Sequence, residues 1–362
     1  MPKKTSQIED RKLDGIQITL KENVQARGAT TLLEDVTLIN NSLPELKLED
    51  INTETTFLNH KFSAPLLIEA MTGGTKEAGK INGNLAAAAE ALGLGMGVGS
   101  QRAALDSEAA AETYSIARKN APNAFLVANI GGAQLRDLKI EEIRRLIDMI
   151  KADALAIHLN PLQELVQPEG EPRFRGVWDR ISQISREVGT PVIVKEVGCG
   201  ISREVATKLE IAGVSAIDVA GVGGTSWAAV EHFRALKQNL SEKALLGELF
   251  WDWGIPTAAS IIEVKKAVRL PIVASGGVRT GLDMAKCIAL GASITGMAQP
   301  ILAAAIKSDK DVAEFIQRAV DQLKATMLIT GARDVKALGK VRYLVTGRLS
   351  DWKKMSQEEI RY

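Results

Sequence analysis

Pro271-Ile-Val-Ala-Ser-Gly-Gly-Val-Arg-Thr-Gly281 is a short apolar run that turns into glycines and then opens a helical pattern. Such a passage from strand to glycines to helix start is how α/β proteins hold a phosphate. Glycine lets backbone N–H groups approach the oxygens, and the helix N-terminus adds a favourable dipole. Downstream, Ser293-Ile-Thr-Gly-Met-Ala-Gln-Pro300 reads as a second buried strand ending in small residues. Two successive strand ends with such turns, late in a chain, fit the phosphate site after the seventh and eighth strands of a (β/α)8 TIM barrel. Six more strands should then precede them.

Six such runs do occur upstream: Pro65–Met71, Gly93–Val98, Ala124–Ala128, Ala154–His158, Pro191–Lys195 and Ala216–Ala220. With Pro271–Ala274 and Ile294–Met297 they make eight. Helical spacing fills the intervals, as in Ile140, Ile143, Leu146, Ile147 and Ile150 on one face. This alternation predicts an α/β barrel. Residues 1-60, rich in charge, Thr and Asn, read as an N-terminal arm of small strands or turns over the barrel mouth. Residues 61-308 read as the (β/α)8 barrel, and 309-362 as a C-terminal helical tail packed on it. Gln238 to Trp253 exceeds what a barrel connection needs and predicts an inserted element.

Composition narrows the function classes. A net charge of +1 and 4% aromatic residues argue against nucleic acid as a partner. Cys199 and Cys287 give neither a disulfide framework nor zinc spacing and fit a reduced cytosol. No run approaches the roughly 20 apolar residues of a membrane span, and Met1 to Lys12 is polar. A cytoplasmic protein without membrane contact is the expectation.

Chemistry in a barrel collects where the strands end. Lys195 closes Val-Ile-Val-Lys, where a buried ammonium needs an anion, such as a cofactor ring or phosphate. His158 also ends a strand and is as compatible with a satisfied core histidine as with catalysis. Asn160, Gln163 and Glu164 follow it closely, a set of oxygens suited to Mg2+ carrying a substrate phosphate. Flavin mononucleotide (FMN) is the natural cofactor, its phosphate on Gly276, Gly277 and Arg279 and its ring near Lys195.

Met71-Thr-Gly-Gly-Thr75, Val98-Gly-Ser-Gln-Arg102, Ala156-Ile-His-Leu-Asn-Pro-Leu-Gln-Glu164, Val194-Lys-Glu196, Gly223-Gly-Thr-Ser-Trp227, Trp253-Gly-Ile-Pro-Thr257 and Ser275-Gly-Gly-Val-Arg-Thr-Gly281 together resemble the type 2 isopentenyl-diphosphate delta-isomerases. The resemblance implies interconversion of isopentenyl and dimethylallyl diphosphate with reduced FMN, Mg2+ and NAD(P)H as reductant, in a homotetramer or homo-octamer. It implies substrate contacts from Arg11, Lys12, Ser100, Gln101, Arg102 and Gln163, with Gln163 and His158 as the catalytic candidates. It implies metal binding by Glu164 with Asn160. It implies FMN contacts from Met71, Thr72, Gly73, Ser100, Asn129, Lys195, Thr225, Gly277, Val278, Arg279, Ala298 and Gln299. Two positions depart from the family pattern: Gly15 replaces the histidine of Arg-Lys-x-x-His, and Ala220 replaces a serine beside the flavin.

Two other readings compete. An FMN oxidoreductase of the same barrel, such as a 2-hydroxy acid oxidase, needs a histidine base in a late loop, and none follows His232. A catalytically weak paralogue that only binds flavin or prenyl diphosphate is supported by Gly15 alone.

Overall fold

The computed structural model describes residues 4–356; the outermost parts of the expected arm and tail, 1–3 and 357–362, lie outside the described residues. In chain order the strands are β1 (Val36–Leu38), β2 (Thr55–Phe57), β3 (His60–Phe62), β4 (Leu66–Ile68), β5 (Gly95–Gly97), β6 (Phe125–Gly131), β7 (Ala154–His158), β8 (Val192–Lys195), β9 (Ala216–Asp218), β10 (Ile272–Ala274), β11 (Ile294–Met297) and β12 (Tyr343–Val345). The helices are α1 (Lys4–Lys21), α2 (Lys76–Leu92), α3 (Glu108–Asn120), α4 (Ile140–Met149), α5 (Pro161–Val166), α6 (Val177–Glu187), α7 (Arg203–Ile211) and α8 (Trp227–Lys237). They continue with α9 (Ser241–Leu249), α10 (Thr257–Ala267), α11 (Gly281–Leu290), α12 (Gln299–Lys307), α13 (Asp309–Thr330), α14 (Val335–Leu338) and α15 (Gly347–Met355).

Strands β4 to β11 close a barrel in which every neighbouring pair is parallel, in the ring order β10-β11-β4-β5-β6-β7-β8-β9. Each of the eight apolar runs contributes one strand. Parallel strands must be crossed over by helices that bury their outer face, so the runs read as continuous apolar segments. α4 puts Ile140, Ile143, Leu146 and Ile147 into that layer. α11 is started by a Thr280–Asp283 capping box and stopped by Gly291. The expected insertion is α9.

The two ends of the barrel differ. Its interior floor is apolar, with Leu67, Val127, Ala156, Ile193, Val273 and Ile294 buried together. The β2–β3 hairpin seals it from below, Phe57 and Phe62 meeting Phe125 at ring-centroid distances of 6.1 and 5.5 Å. The upper interior carries Glu69, Asn129, Lys195 and Asp218, all buried. An apolar floor and a polar upper layer confine the chemistry to one end.

The arm and tail differ from the sequence expectation. The arm opens with the helix α1, seated on α8 through Ile18, Ala229 and Val230, with an Asp14–Lys237 ion pair at 3.2 Å. Its hairpin β2–β3 serves the barrel floor rather than the mouth. The tail is not wholly helical: β12 pairs antiparallel with β1, Val36 opposite Val345, tying the arm to the tail. No described helix is long and apolar enough to cross a membrane.

Candidate active site

Pairing register puts His158, Lys195 and Asp218 on one level at the ends of β7, β8 and β9. Lys195 Nζ lies 3.1 Å from Asp218 Oδ2 and 3.3 Å from Glu69 Oε2, and donates to the Glu196 carbonyl at 3.1 Å. Asp218 is held in turn by Ser275 Oγ at 2.6 Å and the Ala220 N–H at 3.2 Å. The sequence pointed to a cofactor ring or phosphate as the anion beside Lys195; the chain supplies the counter-charge itself, as the two carboxylates Glu69 and Asp218. Burial alone would lower the lysine pKa, but Asp218 and Glu69 overcome it and raise it above its ordinary value. Burial first, and Asp218 second, push the Glu69 carboxyl up to about 7.

His158 Nδ1 is 2.8 Å from Asn129 Oδ1. Burial, then the positive charge of Lys195, drops its pKa to about 3. A neutral ring is the result. Its Nδ1–H donates to Asn129, and Nε2 keeps a lone pair at the wall of the cavity.

The loop after β10 carries the two glycines that the sequence analysis assigned to a phosphate. Gly276 and Gly277 hold φ of 92° and 73°, in the left-handed region open to glycine. Thr257 Oγ1 fixes the loop by donating to the Gly276 carbonyl at 2.6 Å. The Gly277 and Val278 N–H groups donate to no acceptor among the described residues. Two unspent backbone donors at a glycine turn are what a phosphate group requires.

Opposite them, α5 starts at Pro161 and presents three polar side chains. Asn160 Nδ2 donates to Gln163 Oε1 at 3.1 Å and to Glu164 Oε1 at 3.4 Å, leaving Asn160 Oδ1 buried without a partner among the described residues. Glu164 also accepts from Gln134 Nε2 at 3.2 Å and the Glu171 N–H at 3.0 Å. No group of three or more His, Cys, Asp or Glu able to hold a metal occurs among the described residues. The orphaned amide oxygen beside one carboxylate therefore fits a hard cation that takes its remaining oxygens from water and a phosphate. Gln163 Nε2 donates at 3.3 Å to the buried Glu231, which Arg234 anchors at 2.5 Å; Glu169 holds the same guanidinium at 2.7 Å.

α1 closes the site from above. Lys12 Nζ donates to the Ser100 carbonyl at 2.9 Å and bonds the Tyr114 hydroxyl. Burial, reinforced by neighbouring Arg11, lowers the Lys12 pKa to about 7. Arg11 lines the same cavity with no ion-pair partner among the described residues. Gly15 lines it too, with nothing among the described residues within 4 Å of where a Cβ would stand.

These walls enclose one cavity of about 870 Å3. Of the residues named from sequence, Arg11, Lys12, Met71, Thr72, Ser100, Arg102, Asn129, His158, Asn160, Gln163, Glu164, Lys195, Thr225, Gly277, Val278, Arg279, Ala298 and Gln299 all line it. Two do not. Gln101 is fully buried and points outward: its amide donates to the Leu146 carbonyl at 2.9 Å and accepts from the Asn129 N–H at 2.9 Å. It braces β6 rather than facing a substrate. Gly73 lies against the Tyr114 ring, which stands where its Cβ would go. Ala220 lines the wall with φ 36°.

Sequence reasoning passed over Glu69, Asp218, Glu231 and Arg234. Glu69 and Asp218 interrupt apolar runs, Leu-Leu-Ile-Glu-Ala and Ala-Ile-Asp-Val, just as Lys195 does. The same signal would have found them.

Residues 160–344 match the FMN-dependent dehydrogenase family. The chain is 48% identical to the isopentenyl-diphosphate delta-isomerase of Methanosarcina acetivorans, over 93% of this chain and 92% of that one. It is 47% identical to that of Pyrococcus furiosus, over 94% and 88%. For that of Sulfurisphaera tokodaii the identity is 45%, over 96% and 95%. Among solved structures, a Pediococcus acidilactici protein described as a lactate oxidase superposes with a TM-score of 0.69 at 16% identity, over 95% of this chain and 93% of that one. A mandelate oxidase does so at 0.63 and 17%, over 94% and 98%. At such identities the two structures speak to the fold alone.

Proposed function

The chain belongs to the isopentenyl-diphosphate delta-isomerase family, and from that premise we propose that it interconverts isopentenyl and dimethylallyl diphosphate using reduced FMN and Mg2+. One observation carries the reading. A single cavity joins a phosphate cradle with unspent amides, a carboxylate–amide cluster fit for a hard cation, and the cations Arg11 and Lys12. That is provision for two phosphorylated ligands and one metal.

Each wall then has a task. The amides of Gly277 and Val278, with Arg279 and the α12 N-terminus, hold the FMN phosphate. Glu164 and Asn160 would hold Mg2+, and Arg11, Lys12 and Arg102 would take the substrate diphosphate beside it. Gln163, fixed between Asn160 and Glu231, orients the alkene; an amide is too weak a base to act alone. Neutral His158 offers a lone pair and no charge, so it orients rather than protonates. α1 keeps water out. When bound, reduced FMN supplies an electron-rich face that can protonate the alkene and stabilise the cation so formed.

The oxidoreductase alternative loses its base. His232 does not line the cavity: its Nδ1 meets the Ala244 carbonyl at 2.7 Å and its ring packs on Phe233 and Trp251. His60 sits beside Phe125 at the barrel floor. The same premise carries NAD(P)H as reductant, a cytoplasmic location, a homotetramer or homo-octamer, and the division into arm, barrel and tail as parts of the proposal.

Anaerobic incubation with isopentenyl diphosphate, FMN, reductant and Mg2+ tests it, with the product followed by NMR. Dimethylallyl diphosphate should form, and should fail to form with oxidised FMN. No product from protein that holds reduced FMN would refute the reading.

A further inference from the structure

Lys195 carries two carboxylates, and they are not equivalent. Asp218 Oδ1 accepts from Ser275 and Ala220, while Oδ2 faces the ammonium as an ion pair with no hydrogen-bond partner among the described residues. Glu69 meets the ammonium through Oε2; its Oε1 is buried without a hydrogen-bond partner among the described residues. That free oxygen lies against Gly296, where a Cβ would approach to 2.4 Å. Two ionised carboxylates against one ammonium leave a net negative charge in a buried place, which low polarity opposes. The carboxylate with fewer donors is the one that a proton relieves.

We propose that Glu69 is a proton-carrying positioning residue, taking up a proton when negative charge builds on the ligand held at Lys195 and releasing it when that charge leaves. The inference rests on the FMN reading above. The step is Glu69 carboxylate plus a solvent proton giving the carboxylic acid; the electrons that charge the ligand come from an added reductant. Protonation frees Lys195 from its second counter-charge, so that Asp218 alone balances it and an N–H can turn to the ligand.

The groups facing Glu69 are few. Among the described residues, Lys195 from β8 and Asp218 from β9 are the charged ones; Gly296 of β11 brings no charge. Burial and Asp218 raise the Glu69 carboxyl from 4.5 to about 7, against the opposing pull of Lys195. At pH 8 the site is therefore poised to gain a proton, whereas at pH 5 the proton is already there.

The test measures how the midpoint potential of protein-bound FMN changes with pH, which counts protons taken up per two electrons. Wild-type protein near pH 8 should take up about one proton more than Glu69→Gln, and the two should converge near pH 5. The wild type alone supplies a second reading: a protonated-carboxyl band should appear in its reduced-minus-oxidised infrared spectrum at pH 8. Equal proton counts in the two proteins, or no such band, overturn the proposal while leaving FMN binding intact. Failure to bind FMN at all overturns the FMN reading and this inference with it.

Discussion

Glu69 and Lys195 meet at 3.3 Å from opposite sides of the barrel, since β4 and β8 stand four places apart in the ring of eight. Their ion pair spans the interior just above the apolar floor. It makes the polar layer a brace across the mouth as well as a ligand surface.

Removing the ammonium should expose that double role. Lys195→Met leaves two buried carboxylates without their cation, a class of change that costs about 3–5 kcal/mol. The Glu69 carboxyl, raised above its ordinary value, binds more protons in the folded state, so its contribution to stability fades as pH rises. Denaturation should show a larger deficit at pH 8 than at pH 5, together with weaker FMN binding.

Lys12 should give a pH signature of the opposite kind. Its folded pKa, about 7, is below the ordinary 10.5, so between those values the unfolded chain binds more protons. This group therefore makes the ligand-free protein more stable as pH rises through that window. An arriving diphosphate restores the charge. Calorimetry of pyrophosphate binding at pH 8 in buffers of different ionisation enthalpy should reveal more proton uptake by wild type than by Lys12→Met.

The cation cluster predicts graded losses. Gln134 steadies Glu164 from outside, and Gln134→Leu should weaken Mg2+ on the order of tenfold. Glu164→Gln removes the charge itself and should cost more. The Mg2+ dependence of the rate, measured across both variants, checks the order.

Gly277→Ala puts a Cβ 2.4 Å from Thr31 Cγ2 and 2.8 Å from the Gly223 carbonyl, at φ 73°. Overpacking costs about 1–3 kcal/mol and the left-handed backbone about 1–2 more. The cradle should distort, with FMN affinity falling by more than tenfold in a fluorescence titration. Gly15→His, by contrast, meets no described residue within 4 Å of its Cβ; it should gain a few tenths of a kcal/mol in helix propensity and tighten diphosphate binding.

The barrel was legible because eight buried parallel strands must each read as an apolar run, and the glycines at Gly276 and Gly277 mark where the last ones open. α1 was not. Gly15, Ile16, Ile18 and Thr19 are poor helix formers, and the helix gains its order from Ile18 and Lys12 docking on the barrel. β12 was hidden for another reason: three residues are too few for a period, and pairing with β1 creates the strand. Gln101 shows a third limit. A polar side chain in a strand-end loop can face in or out, and only the donors and acceptors of β6 and α4 decide which.

The most direct test of the isomerase assignment follows isopentenyl diphosphate by NMR in deuterated water, with wild-type protein, reduced FMN and Mg2+ under anaerobic conditions. Moving the double bond requires a proton delivered at one carbon and another removed from its neighbour. Dimethylallyl diphosphate should accumulate with deuterium in its new methyl group, and the reverse reaction should label isopentenyl diphosphate. Undeuterated, unchanged substrate over protein that holds reduced FMN and Mg2+ would contradict the account.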